Sequence, residues 1–193
     1  MTAATDNPCF VLELALRVDS AGRKRLARDF DFARQLVNAT LGTALGRRTQ
    51  MLQTPEWKAA CALPKGKERT TAFLEVSRSF GISSAYDFEK ILQQHANASG
   101  RTKQLASPVK QALADNLWRA WAAWLFEGKG KPRFKGVSRG LHSIRGKSNA
   151  AAIIWKPELQ SVRYAGSLYR VYIPQKDTYA REALRDDNGW RKA

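Results

Sequence analysis

Sulfur and imidazole are scarce in this chain: Cys9 and Cys61 are its two cysteines, and His95 and His142 its two histidines, among 193 residues. The thiols are far apart and outside any CxxC pair, so neither a disulfide framework nor a zinc ribbon can be built from them alone, and buried free thiols are the expected state. Neither histidine has a Cys, His or carboxylate at a spacing that serves metal binding or a nucleophile and base pair. A Gly-rich phosphate loop, a G-x-S-x-G elbow and a Walker-type Lys are missing too. A two-metal nuclease needs carboxylates converging on ions ~4 Å apart. The acids here are scattered, and the late group Asp177, Glu182, Asp186 and Asp187 follows no hydrophobic strand that would hold it, so it reads as solvated charge. No cofactor is expected. No apolar run approaches the ~20 residues of a spanning helix, and Met1 to Phe10 lacks the basic and apolar signature of a secretion signal. A cytoplasmic chain with no membrane partner is the expectation.

Acidic residues are the other shortage: 33 Lys and Arg face 17 Asp and Glu, a formal charge of +16 with a pI near 10.3. That is beyond what solubility requires, and an acidic polymer, nucleic acid before all others, is the natural partner. With 44% hydrophobic residues the chain can still bury one core or two small ones.

Periodicity predicts the elements. Residues 9–18 alternate, with Phe10, Leu12, Leu14 and Leu16 on one side, as a half-buried strand does. From Asp19 the period becomes helical through Leu26, Phe30, Ala33, Val37, Leu41 and Ala44, with Gly46 expected to stop the helix. Thr54-Pro55 predicts a short helix through Trp57 and Cys61, and further helices are predicted over 68–80 and 84–97. Ser107-Pro108 predicts a cap and first turn for a helix to Phe126, with Val109, Leu113, Leu117, Ala120 and Trp124 as one stripe. Trp118, Trp121 and Leu125 widen that face beyond what one neighbour could cover. Short strands follow over 152–155, 162–164 and 168–173, the last two joined by a turn at Ala165-Gly166-Ser167. In the last strand Leu168, Arg170 and Tyr172 share one face and Tyr169, Val171 and Ile173 the other, so one side can be core and the other can touch a ligand. One or two helical turns over 179–185 close the pattern. The fold class expected is α+β, a small β-barrel of 1–18 and 129–175 with a helical module of 19–128 inserted, and 176–193 as tail or linker.

The charge is concentrated. Between Arg101 and Lys147 eleven Lys and Arg, Arg119, Arg145 and Lys147 among them, face Asp115 and Glu127, so this quarter carries +9 of the +16. Its densest part is Lys129-Gly130-Lys131-Pro132-Arg133-Phe134-Lys135-Gly136, where glycines allow close approach and each cation can neutralise one phosphate. A second cluster runs from Arg23 to Arg34 on the first helix, with Arg47 and Arg48 near its end. An isolated basic run is as often a solvated loop, and each helix cation as often an ordinary exposed charge. Trp118, Trp121 and Trp124 follow helical spacing and belong to packing. Phe134, Trp155, Tyr164 and Tyr172 sit beside cations such as Arg163 and are the candidates for base or sugar contact. The expectation is a groove of gathered positive charge sized for a polynucleotide.

Three segments resemble the TnpB proteins of bacterial insertion sequences and the type V CRISPR effector nucleases. ARQLVNATL, from Ala33 to Leu41, is similar to the A-R-x-x-x-N-x-x-L pattern near the start of TnpB proteins. VKQALADNLWRAW, from Val109 to Trp121, with Lys131-Pro132-Arg133-Phe134-Lys135 after it, resembles the family's helix and following PRFK segment. SIRGKSNAAAIIW, from Ser143 to Trp155, is similar to the stretch that follows PRFK. The resemblance spans about 19–173. It implies an OB-like wedge barrel with an inserted recognition domain, gripping guide RNA and the RNA–DNA heteroduplex through their backbones and reading a short motif beside the target DNA. Arg34, Asn38, Arg133, Phe134 and Lys135 are the residues that match the motifs. It also implies a RuvC-like domain, with an Asp, Glu, Asp triad and a CxxC zinc ribbon, beginning past residue 180, which these residues do not carry. Cleavage by this chain alone is therefore not expected, and a separate RuvC-like polypeptide would be the partner of a split endonuclease. A DNA-binding regulator that needs no RNA is the further alternative.

Overall fold

A computed structural model describes residues 13–146 and 152–185. The chain divides into two compact units, one drawn from Met1–Arg23 with Ser148–Ala193 and the other formed by Lys24–Lys147. The class is α+β, with six helices and one four-stranded antiparallel sheet among the described residues.

In the sheet unit, β1 (Ala15–Arg17) is shorter than the strand expected over 9–18, residues 13, 14 and 18 being described outside it; Cys9 and the other residues before 13 lie outside the description. β2 (Ile153–Lys156), β3 (Ser161–Tyr164) and β4 (Ser167–Tyr172) come after the helices, and the strand order is β1-β4-β3-β2. The first strand thus pairs with the last, Leu16 opposite Val171. Ala165 and Gly166 join β3 to β4 with φ of 48° and 78°, the two left-handed positions of a tight hairpin turn that follows the twist of its strands. The expected barrel is corrected here: β1 and β2 are edges of an open sheet and do not pair with each other. Four strands of three to six residues are too few and too short to curl round and meet. β4 sorts its faces by period two, with Tyr169 and Val171 buried and Leu168, Arg170 and Tyr172 exposed. α6 (Thr178–Arg185) starts with Asp177 accepting from the Ala180 N–H at 2.9 Å.

α1 (Ser20–Met51) begins as its sequence dictates, with the Asp19 carboxylate accepting from the Gly22 N–H at 2.6 Å. Gly22 is glycine because a Cβ there would stand 2.9 Å from Val18 Cγ1 and 3.0 Å from the Tyr169 ring. Gly22→Ala is expected to cost about 1–3 kcal/mol, the range for overpacking, by denaturant melts; an unchanged midpoint would contradict that contact.

Gly46 does not stop α1, which continues to a buried Met51. A glycine inside a helix costs about 1 kcal/mol, less than is gained by burying the turn that follows. α2 (Pro55–Ala62) has the expected cap, Thr54 Oγ1 accepting from the Trp57 N–H at 3.2 Å. Cys61 is exposed, against expectation, because Ala60 is the only fully buried residue of this short helix. α3 (Lys67–Ser79) packs on α2 through Trp57 and Phe73, ring centroids 4.6 Å apart. α4 (Ala85–Ala98) and α5 (Ser107–Phe126) form the main packed pair.

In α5 the cap is Ala106, and Ser107, expected to cap, is instead the first helical residue. The buried stripe runs Val109, Leu113, Leu117, Trp121, with Lys110, Ala112 and Ala114 beside it; Ala120 and Leu125 of the expected face are exposed. Lys110 is a buried cation whose Nζ donates to the Thr102 carbonyl at 3.1 Å, and desolvation pulls its pKa below the ordinary lysine value.

Candidate nucleic-acid interface

Segment 129–135 falls in the helical unit, in neither helix nor strand, and its position is set by α1. The Asn38 carboxamide makes two hydrogen bonds to one backbone unit: Nδ2 donates to the Lys135 carbonyl at 2.9 Å and Oδ1 accepts from the Lys135 N–H at 2.8 Å. Only a side-chain amide offers a donor and an acceptor side by side in that geometry. One turn earlier, Arg34 Nη1 approaches the same carbonyl at 3.4 Å while its Nε and Nη2 donate to Asp31 at 3.0 and 2.7 Å. These hydrogen bonds from Arg34 hold the Asp31 carboxyl below its ordinary pKa, so the pair is ionised at neutral pH. One turn later, the Phe134 ring edge comes close to Gly42, 3.8 Å from where a Cβ would stand, an ordinary van der Waals distance.

Further along α1, Arg48 lies over the Trp124 ring at 4.7 Å, and Lys131 approaches the same ring at 5.8 Å. Positions 34, 38, 42 and 48 of α1 therefore meet, directly or through Trp124, positions 135, 134 and 131 of the segment, which runs antiparallel to the helix. The steps of four place 34, 38 and 42 on one side of α1. Lys129, Lys131, Arg133 and Lys135 are all exposed, and no carboxylate pairs with them among the described residues. Phe134 is 57% exposed, so one part of the ring rests on α1 and the rest is open.

The two motifs that contain Arg34 with Asn38 and Arg133 with Lys135 are far apart in sequence and meet in space. Their division of labour differs from the expectation that all four touch the ligand. Arg34 and Asn38 spend their polar atoms on Asp31 and on the Lys135 backbone, which makes them positioning residues for the segment. Arg47 is likewise committed: its Nη1 donates to the Phe80 and Gly81 carbonyls at 3.3 and 3.2 Å, closing the end of α3. Arg119 donates to Asn116 Oδ1 at 2.6 Å, and among the described residues no hydrogen bond or ion pair ties it to the segment. Arg145 is exposed, Arg163 belongs to the sheet unit, and Lys147 lies outside the described residues. Tyr164 is buried at 7% exposure and cannot offer its ring to a base.

Trp121 and Trp118 pack on Phe88 at 5.5 Å each, and Trp124 meets Trp121 edge-on at 5.3 Å, as packing assignments require. That Trp124 also carries two cations was not legible from helical spacing. A cleft of about 470 Å³ in the helical unit is lined by Arg47, Arg78, Lys90 and neighbours, and segment 129–135 is not part of its lining.

If Asn38 sets the segment, Asn38→Asp is more damaging than its size suggests. The aspartate keeps an acceptor for the Lys135 N–H but turns a second oxygen toward the Lys135 carbonyl. A loss of about 1–2 kcal/mol in thermal or urea unfolding is expected, the scale of one hydrogen bond replaced by a repulsion. Equal stability of the two proteins would mean that the clamp does not hold in solution.

No protein-family model, curated protein or solved structure matches the chain. Among the described residues no group of three or more His, Cys, Asp or Glu could hold a metal ion, and no helix is long and apolar enough to cross a membrane.

Proposed function

We propose that the chain is a nucleic-acid-binding module that grips a phosphate backbone through segment 129–135, acting as a binder and not as a catalyst. The observation that carries this reading is the Asn38 clamp, which holds the segment at residue 135 while four exposed cations have no acidic partner among the described residues. Holding a cationic strand in place before binding lowers the ordering entropy that a free loop would lose on contact. Such a track contacts phosphates and carries no base readout of its own. The resemblance of Arg34, Asn38 and the Lys131 to Lys135 stretch to TnpB proteins supports guide RNA as the polymer and target DNA as the second ligand. The helical module inserted in sequence between β1 and the other strands is in keeping with a wedge and recognition pair, the barrel of the expectation being replaced by an open sheet.

The test is an anisotropy titration of the full chain with a 20-nucleotide single-stranded RNA between 50 and 200 mM salt. Four phosphates neutralised on a single strand give a slope of about −3 in log K against log salt. A slope near zero would sink the proposal. RNA recovered with the chain from its source and then sequenced would identify the guide; recovery of sequence-specific duplex DNA without RNA would replace the guide-RNA reading by that of a regulator.

A further inference from the structure

The sheet unit contains a cleft of about 1090 Å³ that segment 129–135 does not touch, bounded by β1, β4, the turn 157–160 and α6. Arg17 and Arg170 line it, and they are register partners on the antiparallel pair β1 and β4. Directly opposed residues share a face with their Cβ atoms about 5 Å apart, so two arginine stems rise from neighbouring points of one face, and like charges so placed destabilise a sheet. Lys176 and Arg181 add two more cations to the wall, against one acid, Glu158. Among the described residues no carboxylate pairs with Arg17, Arg170, Lys176 or Arg181.

The cleft also offers flat surfaces. Arg17 reaches diagonally across the strands to lie over the Tyr172 ring, its Cζ 4.8 Å from the centroid, and Tyr172 is 43% exposed. Trp155 on β2 is part of the same wall. Guanidinium and aromatic planes beside unpaired cations suit a ligand with both phosphates and accessible base faces, and in a duplex those faces are already stacked.

We propose that this cleft is a second nucleic-acid site, one that takes a single-stranded segment with phosphates on Arg17 and Arg170 and a base on the Arg17–Tyr172 stack. It rests on the nucleic-acid reading above but not on the residues that carry it, so the two can fail separately. The probes are a 12-nucleotide oligo(U), a blunt RNA duplex of equal length and inorganic polyphosphate, each titrated against the full chain at several salt concentrations. Arg17→Gln with Arg170→Gln keeps the stems and removes the charges; it is expected to lower the slope on oligo(U) by about 1.4, two single-strand phosphates. Tyr172→Ala is expected to weaken oligo(U) about tenfold or more with the slope unchanged, while Tyr172→Phe binds like the parent. Thermal unfolding of each variant separates lost binding from lost fold, and the Tyr172→Phe comparison stands even where Tyr172→Ala unfolds: weakening by Phe would overturn the stack.

If neither cleft variant changes oligo(U) binding while Arg133→Ala with Lys135→Ala does, this proposal is wrong and the proposed function stands. If polyphosphate and oligo(U) lose equally and Tyr172→Ala is silent, the cleft is a plain anion site and the proposal falls. If the duplex binds the cleft as well as oligo(U) does, its single-strand character falls with it. Insensitivity to both sets of variants would remove both readings.

Discussion

Trp121→Ala is expected to lower the stability of the helical unit by about 3–5 kcal/mol, enough to leave a marginal domain largely unfolded. Trp121 is fully buried, and its ring meets Phe88 at 5.5 Å and Trp124 at 5.3 Å. Removing it empties the contact between α4 and α5, and the neighbouring rings can close over only part of the space. Trp121→Phe should lose much less. It keeps a ring in the same place, and it deletes the indole N–H, which has no hydrogen-bond partner within the buried cluster. Urea unfolding followed by near-ultraviolet circular dichroism reports both; an alanine variant no worse than the phenylalanine one would mean that the cluster is not the core.

The second large effect is on binding. Arg133→Ala combined with Lys135→Ala is expected to reduce the salt slope on single-stranded RNA by about 1.4 and to weaken binding roughly 25-fold at 0.1 M salt, since each unit of slope is a factor of ten relative to 1 M. Stability should stay within about 0.5 kcal/mol, because both residues are exposed and the Asn38 clamp acts on the backbone of residue 135, which alanine retains. An Asn38→Ala chain makes the complementary comparison. All four cations remain, so its slope is expected to stay near that of the parent while its affinity falls by the cost of ordering a freed segment.

The starts of three helices were legible because local chemistry marks them: Asp19 before α1, Thr54-Pro55 before α2, Ser84 before α4. Their errors are where long-range packing competed with a local rule. Gly46 reads as a stop, yet α1 runs on because Met51 is buried and Arg47 is bonded to carbonyls at the end of α3. Ser107 reads as a cap, but Ala106 takes the extended conformation and Ser107 enters the helix. Helical spacing also assigned Trp124 to packing alone, whereas it packs on Trp121 and holds Arg48 and Lys131 as well.

The site divides in the same way. The density of cations in 129–135 is a property of composition, as is their excess over acids, and both were available without any fold. The distinction between residues that hold the segment and residues that present charge was not, because Arg34 and Asn38 look alike as polar groups on a helix face until the Lys135 backbone is seen between them. Nor could alternation along β1 and β4 reveal that Arg17 stands opposite Arg170, since register is set by pairing between strands that are separated by the whole helical module. Local propensity and charge are written residue by residue, so the chain alone determined its helices, its hairpin and its positive balance. Which cations stand together, and on what support, depends on contacts between distant residues, and only the tertiary structure decided that.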